Sequence, residues 1–457
     1  MEHRKILIDL GSTFTKAAAV DLESATVIAT AKSPSTVQED VSIGLEKTLA
    51  AIARETGGIE GLEIIACSSA AGGLRMVSIG LVPELSAEAA TRAALGAGAK
   101  MVGHYSYKLS SGELRQIEEQ APDIILLAGG TDGGNEAIIV HNAGVLAQSR
   151  LSLPVIVAGN KCAYDRIGEI FTASALIPRF VANVMPEIGR LEVEACREAI
   201  REVFMENIVR AKGLDRAMQI ANQVIMPTPA AVLKAATLLS QGTKDEPGLG
   251  ELVAVDVGGA TTDVYSIAKG TPTRSAARVT GLPEPFAKRT VEGDLGVRHN
   301  LDSLLRLCES NHVAVDEAAV LEFRRDPARL PRNGGETALD TVLAHMAVKV
   351  SFERHVGKLS TIYGPHGEMV VQTGKDLREV TTVIGTGGPL ANSPCPQDTL
   401  RAVLSAPEGV ERLGPQRARF YVDRKYVMYA AGLLAATAPT AALRIMKRSL
   451  AEVSAAG

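Results

Sequence analysis

Tryptophan is absent from this chain, and phenylalanine and tyrosine supply eight residues each, so aromatics make up only 4% of 457 residues. That leaves little material for the platforms on which single-stranded nucleic acid stacks. Charge of one sign is lacking too. The formal net charge of -4 gives no electrostatic footprint for a polyanion, and no nucleic-acid partner is expected. The cysteines (Cys67, Cys162, Cys196, Cys308 and Cys395) are scattered without a CxxC pair. Such a set fits reduced cytoplasmic thiols and argues against a disulfide framework, a zinc site or an iron–sulfur cluster. No signal sequence is visible, because MEHRKILIDL runs charged residues straight into a strand pattern. The longest uncharged run, residues 426–443, is alanine-rich and contains Gly432 and Pro439. It reads as a close-packed buried helix, and no membrane span is expected.

Glycine, in contrast, is abundant, with 43 residues. Its most informative use lies in residues 252–267, LVAVDVGGATTDVYSI. An apolar strand pattern ends in Asp256, a tight turn passes through Gly258, Gly259 and Ala260, and Thr261, Thr262 and a second acid, Asp263, precede an apolar return. Glycines let backbone N–H groups close around an anion, threonines add hydroxyl donors, and the acids can hold a divalent cation or a water. An ordinary hairpin would use glycine as well, but the design occurs twice. Residues 5–20, KILIDLGSTFTKAAAV, run a strand into Asp9, followed by Gly11, Ser12, Thr13 and Lys16. Two such hairpins suggest two similar lobes closing on one phosphate chain from opposite sides. Neither is a Walker loop, since GxxxxGK[ST] occurs nowhere. Neither is a dinucleotide fingerprint, since a strand and not a helix follows the turn.

The length admits about two or three domains with sizeable cores. The pattern divides the chain into a first lobe, 1–99, an additional α/β segment, 100–240, and a second lobe, 250–457, with residues 241–250 (QGTKDEPGLG) as linker. In the first lobe a third strand at 27–33 and a helix at 43–55 follow the hairpin. A buried strand at 62–66 runs into the small-residue exit CSSAAGG, and Ser86 is placed to cap an alanine-rich helix through Gly96. From residue 100, short apolar strands (124–127, 155–158, 177–184) exit into Gly/Asn loops, and a helix at 191–209 follows. This is the pattern of a parallel sheet, whose ligands lie beyond the carboxyl ends of the strands. The loop from Ala128 to Asn135 (AGGTDGGN) admits two readings: the first half is a degenerate copy of the whole fold, or, the favoured one, the loop belongs to an extra domain and serves a partner or second ligand. Further on, Gly293, between Glu292 and Asp294, looks like the opening of a helix that could aim N–H groups at a terminal phosphate. Residues 380–390, VTTVIGTGGPL, run a β-branched strand into Gly385, Gly387 and Gly388, a loop on which a flat purine ring could lie. A helix at 427–435 closes the series.

The order DLGSTFTK, DVGGATTD, IGTGGPL and YAAGLL resembles the actin/Hsp70/sugar-kinase ATPase superfamily. Residues 9–16 match its phosphate 1 signature, 256–263 phosphate 2, 385–390 the adenosine loop and the helix from Val427 connect 2. The alanine-rich helix 87–98 is the candidate for connect 1. More narrowly, CSSAAGGLRM, LVPELSAEAATRAALGAGA, LLAGGTDGGN, RTVEGDLGVR and IGTGGPL are similar, across nearly the whole chain, to one family. It is the glutamate mutase (methylaspartate mutase) accessory family of anaerobic amino-acid fermenters, the MutL type unrelated to mismatch repair. The implied fold is α/β, with two actin-like (RNase H-like) lobes around a nucleotide cleft. The implied function is that of a cytoplasmic ATPase chaperone that protects or reactivates an adenosylcobalamin-dependent mutase, glutamate mutase above all.

The resemblance further implies ATP and Mg2+ as cofactors. Asp9 and Asp256 would face the metal, with Asp256 orienting the attacking water and Asp263 in support. Magnesium keeps most of its waters, so one or two carboxylates suffice. Backbone N–H groups of Gly11, Ser12 and Thr13 and of Gly258, Gly259 and Ala260, with the Thr13, Thr261 and Thr262 hydroxyls, would hold phosphate oxygens. Gly293, Asp294, Gly385, Gly387 and Gly388 complete the nucleotide-binding set. Lys16 either offsets charge on the terminal phosphate or is a solvated hairpin lysine. Positioning and electrostatics carry such reactions. Cobalamin belongs to the partner. The base-off motif DxHxxG is approached only by Glu353-Arg354-His355-Val356-Gly357, with the wrong acid and an early glycine, so His355 reads as a surface or core histidine. Two other classes share these loops. A small-molecule kinase would use Asp256 as base for a substrate hydroxyl or carboxylate, but no convergent substrate pocket can be picked out. An actin-like filament protein would polymerise with ATP, but no terminal peptide or amphipathic anchor favours it. Radical-dehydratase activators need cluster cysteines beside glycine turns, and the five here do not supply them. The oligomeric state is left open.

Overall fold

The computed structural model describes residues 3–36, 40–69, 74–208, 220, 223–274, 277–364, 367–404 and 412–453. The chain forms two compact units, one of Met1–Ala70, Ala211–Thr280 and Glu284–Gly457, the other of Ala71–Arg210 and Gly281–Pro283.

In the first unit β1 (Arg4–Leu10), β2 (Phe14–Asp21) and β3 (Thr26–Pro34) form an antiparallel meander in which Asp9 stands opposite Lys16. The helix Val41–Thr56 follows. It is started by Asp40, whose side chain accepts from the Ser42 N–H, and stopped by Gly57 at φ 78. It returns the chain so that β4 (Glu63–Ser68) lies parallel to β1.

The second unit holds β5 (Arg75–Gly80), β6 (Lys100–Ser106), β7 (Ile124–Leu127), β8 (Pro154–Val157) and β9 (Ile177–Phe180). All pair in parallel, in the order β6-β5-β7-β8-β9. The sheet is doubly wound, and β7 (IILL) is apolar throughout because both its faces are covered. The Ala128 to Asn135 loop leaves β7. Among the described residues its sheet pairs in parallel throughout, unlike the antiparallel meander of β1–β3. Two glycines at these strand exits serve close packing: a Cβ on Gly130 would lie 2.2 Å from the Asn135 carbonyl oxygen, and one on Gly159, after β8, 2.6 Å from that of Gly129. The alanine-rich helix Glu88–Gly96 packs on β5, β6 and the helix Glu194–Ile208, within this unit. Ser86 does not cap it. The hydroxyl instead accepts from the Leu81 and Val82 N–H groups, inside a π-helical turn, Pro83–Ala87, that leads into the helix.

Back in the first unit, β10 (Gln223–Pro227) pairs parallel with β4 and completes the order β10-β4-β1-β2-β3. The helix Thr228–Gln241 follows. The design is then repeated. β11 (Leu252–Val257) and β12 (Thr262–Ile267) make a hairpin with Asp256 opposite Asp263. A short β13 (Arg278–Thr280) joins a small side sheet, and β14 (Ala287–Glu292) pairs antiparallel with β12. The helices Leu301–Ser310, Glu317–Arg325 and Gly334–His355 come next, then the ribbon β15 (Lys358–Gly364) and β16 (Gly367–Thr373) of the side sheet. β17 (Thr382–Thr386) lies parallel to β11 and β18 (Arg419–Asp423) parallel to β17, with β19 (Leu450–Glu452) at the edge.

The order β14-β12-β11-β17-β18 reproduces β3-β2-β1-β4-β10 strand for strand. These are two actin-like lobes of RNase H-like topology, each opening with its acid-bearing hairpin. The helix Met428–Leu434 after β18 corresponds to Thr228–Gln241 after β10. The two pack so tightly that a Cβ on Gly432 would lie 1.9 Å from the Ala231 carbonyl oxygen. By this internal repeat, Thr228–Gln241 occupies the place expected for residues 87–98. Leu7, Ile65, Ala235, Ala254, Ile384 and Ala431 share the core around these helices.

Two further expectations change. The run 426–443 is two helices, because Pro439 starts a second one, Pro439–Ser449. No helix opens at Gly293: β14 ends at Glu292 and the next helix begins at Leu301. Ala70, Ala71, Gly72 and Gly73 of the CSSAAGG exit, and Val209 of the expected helix, lie outside the described residues. Among the described residues no helix is long and apolar enough to cross a membrane.

Candidate functional site

Both acid-bearing hairpins belong to the first unit and line one cavity of about 380 Å³. The first contributes Asp9, Gly11, Ser12, Thr13 and Lys16, the second Asp256, Gly258, Gly259, Ala260, Thr261 and Asp263. Gly387 and Gly388 come from the β17 exit. In both hairpins an apolar, buried strand carries its acid near its carboxyl end, so the carboxylate stands where the strand emerges from the core. The turns need small residues. A Cβ on Gly11 would lie 2.5 Å from the Phe14 carbonyl oxygen, which accepts the Gly11 N–H at 3.2 Å. Gly387, at φ 94, passes the end of β11 where a Cβ would lie 2.2 Å from the Val257 carbonyl oxygen.

The stretch RTVEGDLGVR does meet the site, beyond the residues first singled out and through backbone braces. The Val297 N–H donates to Gly258 O (3.1 Å), and those of Arg298 and His299 to Gly259 O (2.9 Å each). Asn300 Nδ2 donates to Ala260 O at 2.8 Å. Gly296 permits this, since a Cβ there would lie 2.2 Å from the Ala260 carbonyl carbon. Gly293 and Asp294 are not among the residues lining the cavity, and Asp294 pairs with Arg354 at 2.9 Å. Thr262 and Gly385 are absent from the lining as well. The Thr262 hydroxyl donates to Leu295 O at 2.8 Å, and Gly385 is buried in β17 beside Leu400.

The charged groups differ sharply in their engagement. Asp9 is buried, accepts from Thr228 Oγ1 at 2.6 Å and lies 3.3 Å from Lys16 Nζ. Burial by itself would lower the Lys16 pKa, but Asp9, Tyr426 and Asp256 outweigh it and hold the ammonium above the ordinary lysine value. That ammonium sits 4.7 Å from the Tyr426 ring centroid, so Lys16 is an ion-paired cavity residue. Asp263 is clamped by Arg289, with Nε at 2.7 Å and Nη2 at 2.6 Å from Oδ1, while Oδ2 accepts from Thr261 Oγ1 at 3.0 Å. Asp423, at the end of β18, accepts the Val427 and Met428 N–H groups at 3.0 Å each. Asp256 has no hydrogen bond or ion pair among the described residues. Its pKa is pushed up to about 7, by burial first; Lys16 opposes, and Asp263, Asp9 and Asp423 add to the rise.

This donor set suits a hydrated divalent cation and an anion together. Carboxylates crowd the end of β11, and Thr13 Oγ1 is buried without a hydrogen-bond partner among the described residues, 2.6 Å from where a Cβ on Gly259 would stand. Among the described residues no cluster of three or more His, Cys, Asp or Glu is arranged to hold a metal. A cation here would therefore rest on one or two carboxylates, water and a ligand's own oxygens.

Sequence reading missed Thr228, Arg289, Arg298 and Tyr426. For Thr228 a signal existed, since VIMPTPAA is an apolar strand stopped by prolines at a helix start. Arg289 had none, because its partner lies on another strand, 26 residues away. The five cysteines are free, with Cys67, Cys196 and Cys308 buried. His355 is a core histidine held between Ser266 Oγ (2.7 Å) and Thr290 Oγ1 (2.8 Å).

The chain is 46% identical over 464 residues to Protein MutL of Clostridium tetanomorphum, a match covering 98% of this chain and 99% of that one. A family profile described as MutL protein matches residues 5–450. Among solved structures, ethanolamine utilization protein EutJ of Carboxydothermus hydrogenoformans is similar at 13% identity and TM-score 0.29, over 97% of this chain and 89% of that one. Xylulose kinase of Bifidobacterium adolescentis is similar at 11% identity and TM-score 0.32, over 96% and 93%. At such scores these likenesses add nothing to the strand order, on which the two-lobe fold rests. The motifs, the family match across nearly the whole chain and the close relative agree, and the chain belongs to the MutL family of glutamate mutase accessory proteins.

Proposed function

We propose that this protein binds ATP with Mg2+ between its two hairpins, hydrolyses it, and uses the cycle to protect or reactivate an adenosylcobalamin-dependent mutase, glutamate mutase first. One observation carries the nucleotide reading: two hairpins of the same design, on lobes of the same strand order, bring Asp9 and Asp256 to one cavity. Family membership supports the mutase partner.

Bound Mg2+ would neutralise phosphate charge, and Asp9 and Asp256 are the carboxylates to hold it through water. The Gly11 and Gly258 N–H groups are taken by the Phe14 and Thr261 carbonyls inside their turns, so the N–H groups of Ser12, Thr13, Gly259 and Ala260, with the Thr13 hydroxyl, would hold phosphate oxygens. Asp256, free of competing hydrogen bonds among the described residues, would orient a water and accept its proton. Asp263 is fixed beside Asp256 by Arg289. Pro327, Leu330, Pro331 and Pro389 give the cavity apolar walls suited to a base.

The test is phosphate release from ATP by wild type and Asp256→Ala, with and without an inactivated adenosylcobalamin mutase. The mutase should stimulate release, and Asp256→Ala should lower turnover by about 100-fold or more while nucleotide still binds. Release indifferent to the mutase but stimulated by a small metabolite would replace this reading with a kinase. Absence of nucleotide binding would overturn it.

A further inference from the structure

Two arginines line the cavity, and they are engaged very differently. Arg329 is committed: Nε and Nη2 contact Glu336 at 3.2 and 2.9 Å, and Nη1 lies 3.2 Å from Glu322. Arg298 is not. Its Nη1 lies 2.6 Å from Asp340 Oδ1, an ion pair without hydrogen-bond geometry, and donates to the Val297 carbonyl at 3.2 Å, while Nε and Nη2 have no partner among the described residues. The side chain is only 7% exposed, with its guanidinium carbon 4.1 Å from the Phe323 ring centroid. A guanidinium is a rigid fork that pairs best through two nitrogens with a carboxylate or a phosphate. Here it is largely withdrawn from water and paired through one.

Its root is at the point where the hairpins approach each other. The Arg298 N–H donates to Gly259 O. A Cβ on Gly259 would lie 3.6 Å from Arg298 Cβ and 2.6 Å from Thr13 Oγ1, the buried hydroxyl without a partner. The unsatisfied Thr13 hydroxyl of one hairpin and the root of the Arg298 side chain thus flank the same glycine. Both residues line the cavity, so an anion bound in it has the hydroxyl and the guanidinium to draw on. A phosphate of two charges would compete well with the single carboxylate of Asp340 for the guanidinium.

We infer that Arg298 reads the terminal phosphate of a bound nucleoside triphosphate, and that Asp340 holds the guanidinium when that phosphate is missing. This rests on the nucleotide reading of the cavity. Asp340 sits on the long helix Gly334–His355, so this helix is tied to the second hairpin in the diphosphate state and released from it in the triphosphate state.

The test is calorimetric titration of the full chain with MgADP and with a non-hydrolysable MgATP analogue, for wild type, Arg298→Ala, Asp340→Asn and the double variant. Arg298→Ala should weaken the analogue by about tenfold or more, the worth of one charge-assisted contact, and leave ADP within about threefold. Asp340→Asn should tighten the analogue more than ADP, and that preference should vanish in the double variant. Retained ADP binding reports that each variant is folded. Equal losses for both nucleotides would overturn the inference, because the pair would then act on the shared sugar, base or loop shape. Indifference of Arg298→Ala to both would overturn it too. Binding of neither nucleotide by wild type would instead remove the nucleotide reading itself.

Discussion

Asp256 and Asp263 face each other across a two-stranded hairpin, where like charges repel. What makes the pair tolerable comes from the adjoining strand. Arg289, set opposite Tyr265, reaches Asp263 and leaves Asp256 as the carboxylate without a partner among the described residues. The two acids look alike in DVGGATTD, and only the third strand divides their roles. The side chains of Arg289 and Asp263 are 2% and 8% exposed, so Arg289→Met would strand a buried charge. We expect it to cost about 3–5 kcal/mol in urea unfolding, with much of this recovered when Asp263→Leu is added. Recovery of stability without recovery of ATP turnover would separate the structural role of the pair from its influence on Asp256.

At the scale of elements, the hairpins were legible in the sequence because everything that defines them is local: an apolar run, an acid, small turn residues and an apolar return. The helices behind them were not. Residues 87–98 and 228–241 are both rich in alanine, and composition cannot tell which one backs the nucleotide fold. The choice depends on β10 pairing with β4, a contact between distant segments. The same reason hid the absence of a helix at Gly293, where β14 runs up to Glu292 and a turn through Gly293 and Asp294 follows it. The crossing of Thr228–Gln241 and Met428–Leu434 yields a sharp expectation. Gly432→Ala drives a Cβ into the Ala231 backbone, which no side-chain change at 231 can relieve. It should destabilise the protein by about 1–3 kcal/mol in thermal unfolding. Gly144→Ala provides the contrast. It lies in the helix Ala137–Leu146 with nothing within 4 Å of the new atom, and should stabilise by about 0.5–1 kcal/mol.

For the whole molecule, every residue lining the cavity belongs to the first unit, while the doubly wound sheet belongs to the second. MgATP should therefore slow hydrogen exchange in the turns after β1, β11 and β17 and leave β7 and β8 unchanged. Protection confined to the second unit would contradict the site assigned here. The sequence by itself determined the family, the two acid-bearing hairpins and the glycine loop after β17, because each is written in a few consecutive residues. Tertiary structure decided which of those residues meet and in what state. Thr228 steadies Asp9 from 219 positions away, Arg289 neutralises Asp263, and Arg298 and Asp340 come together on one wall. Such partnerships depend on strand order and helix packing, which close distances that no local pattern encodes.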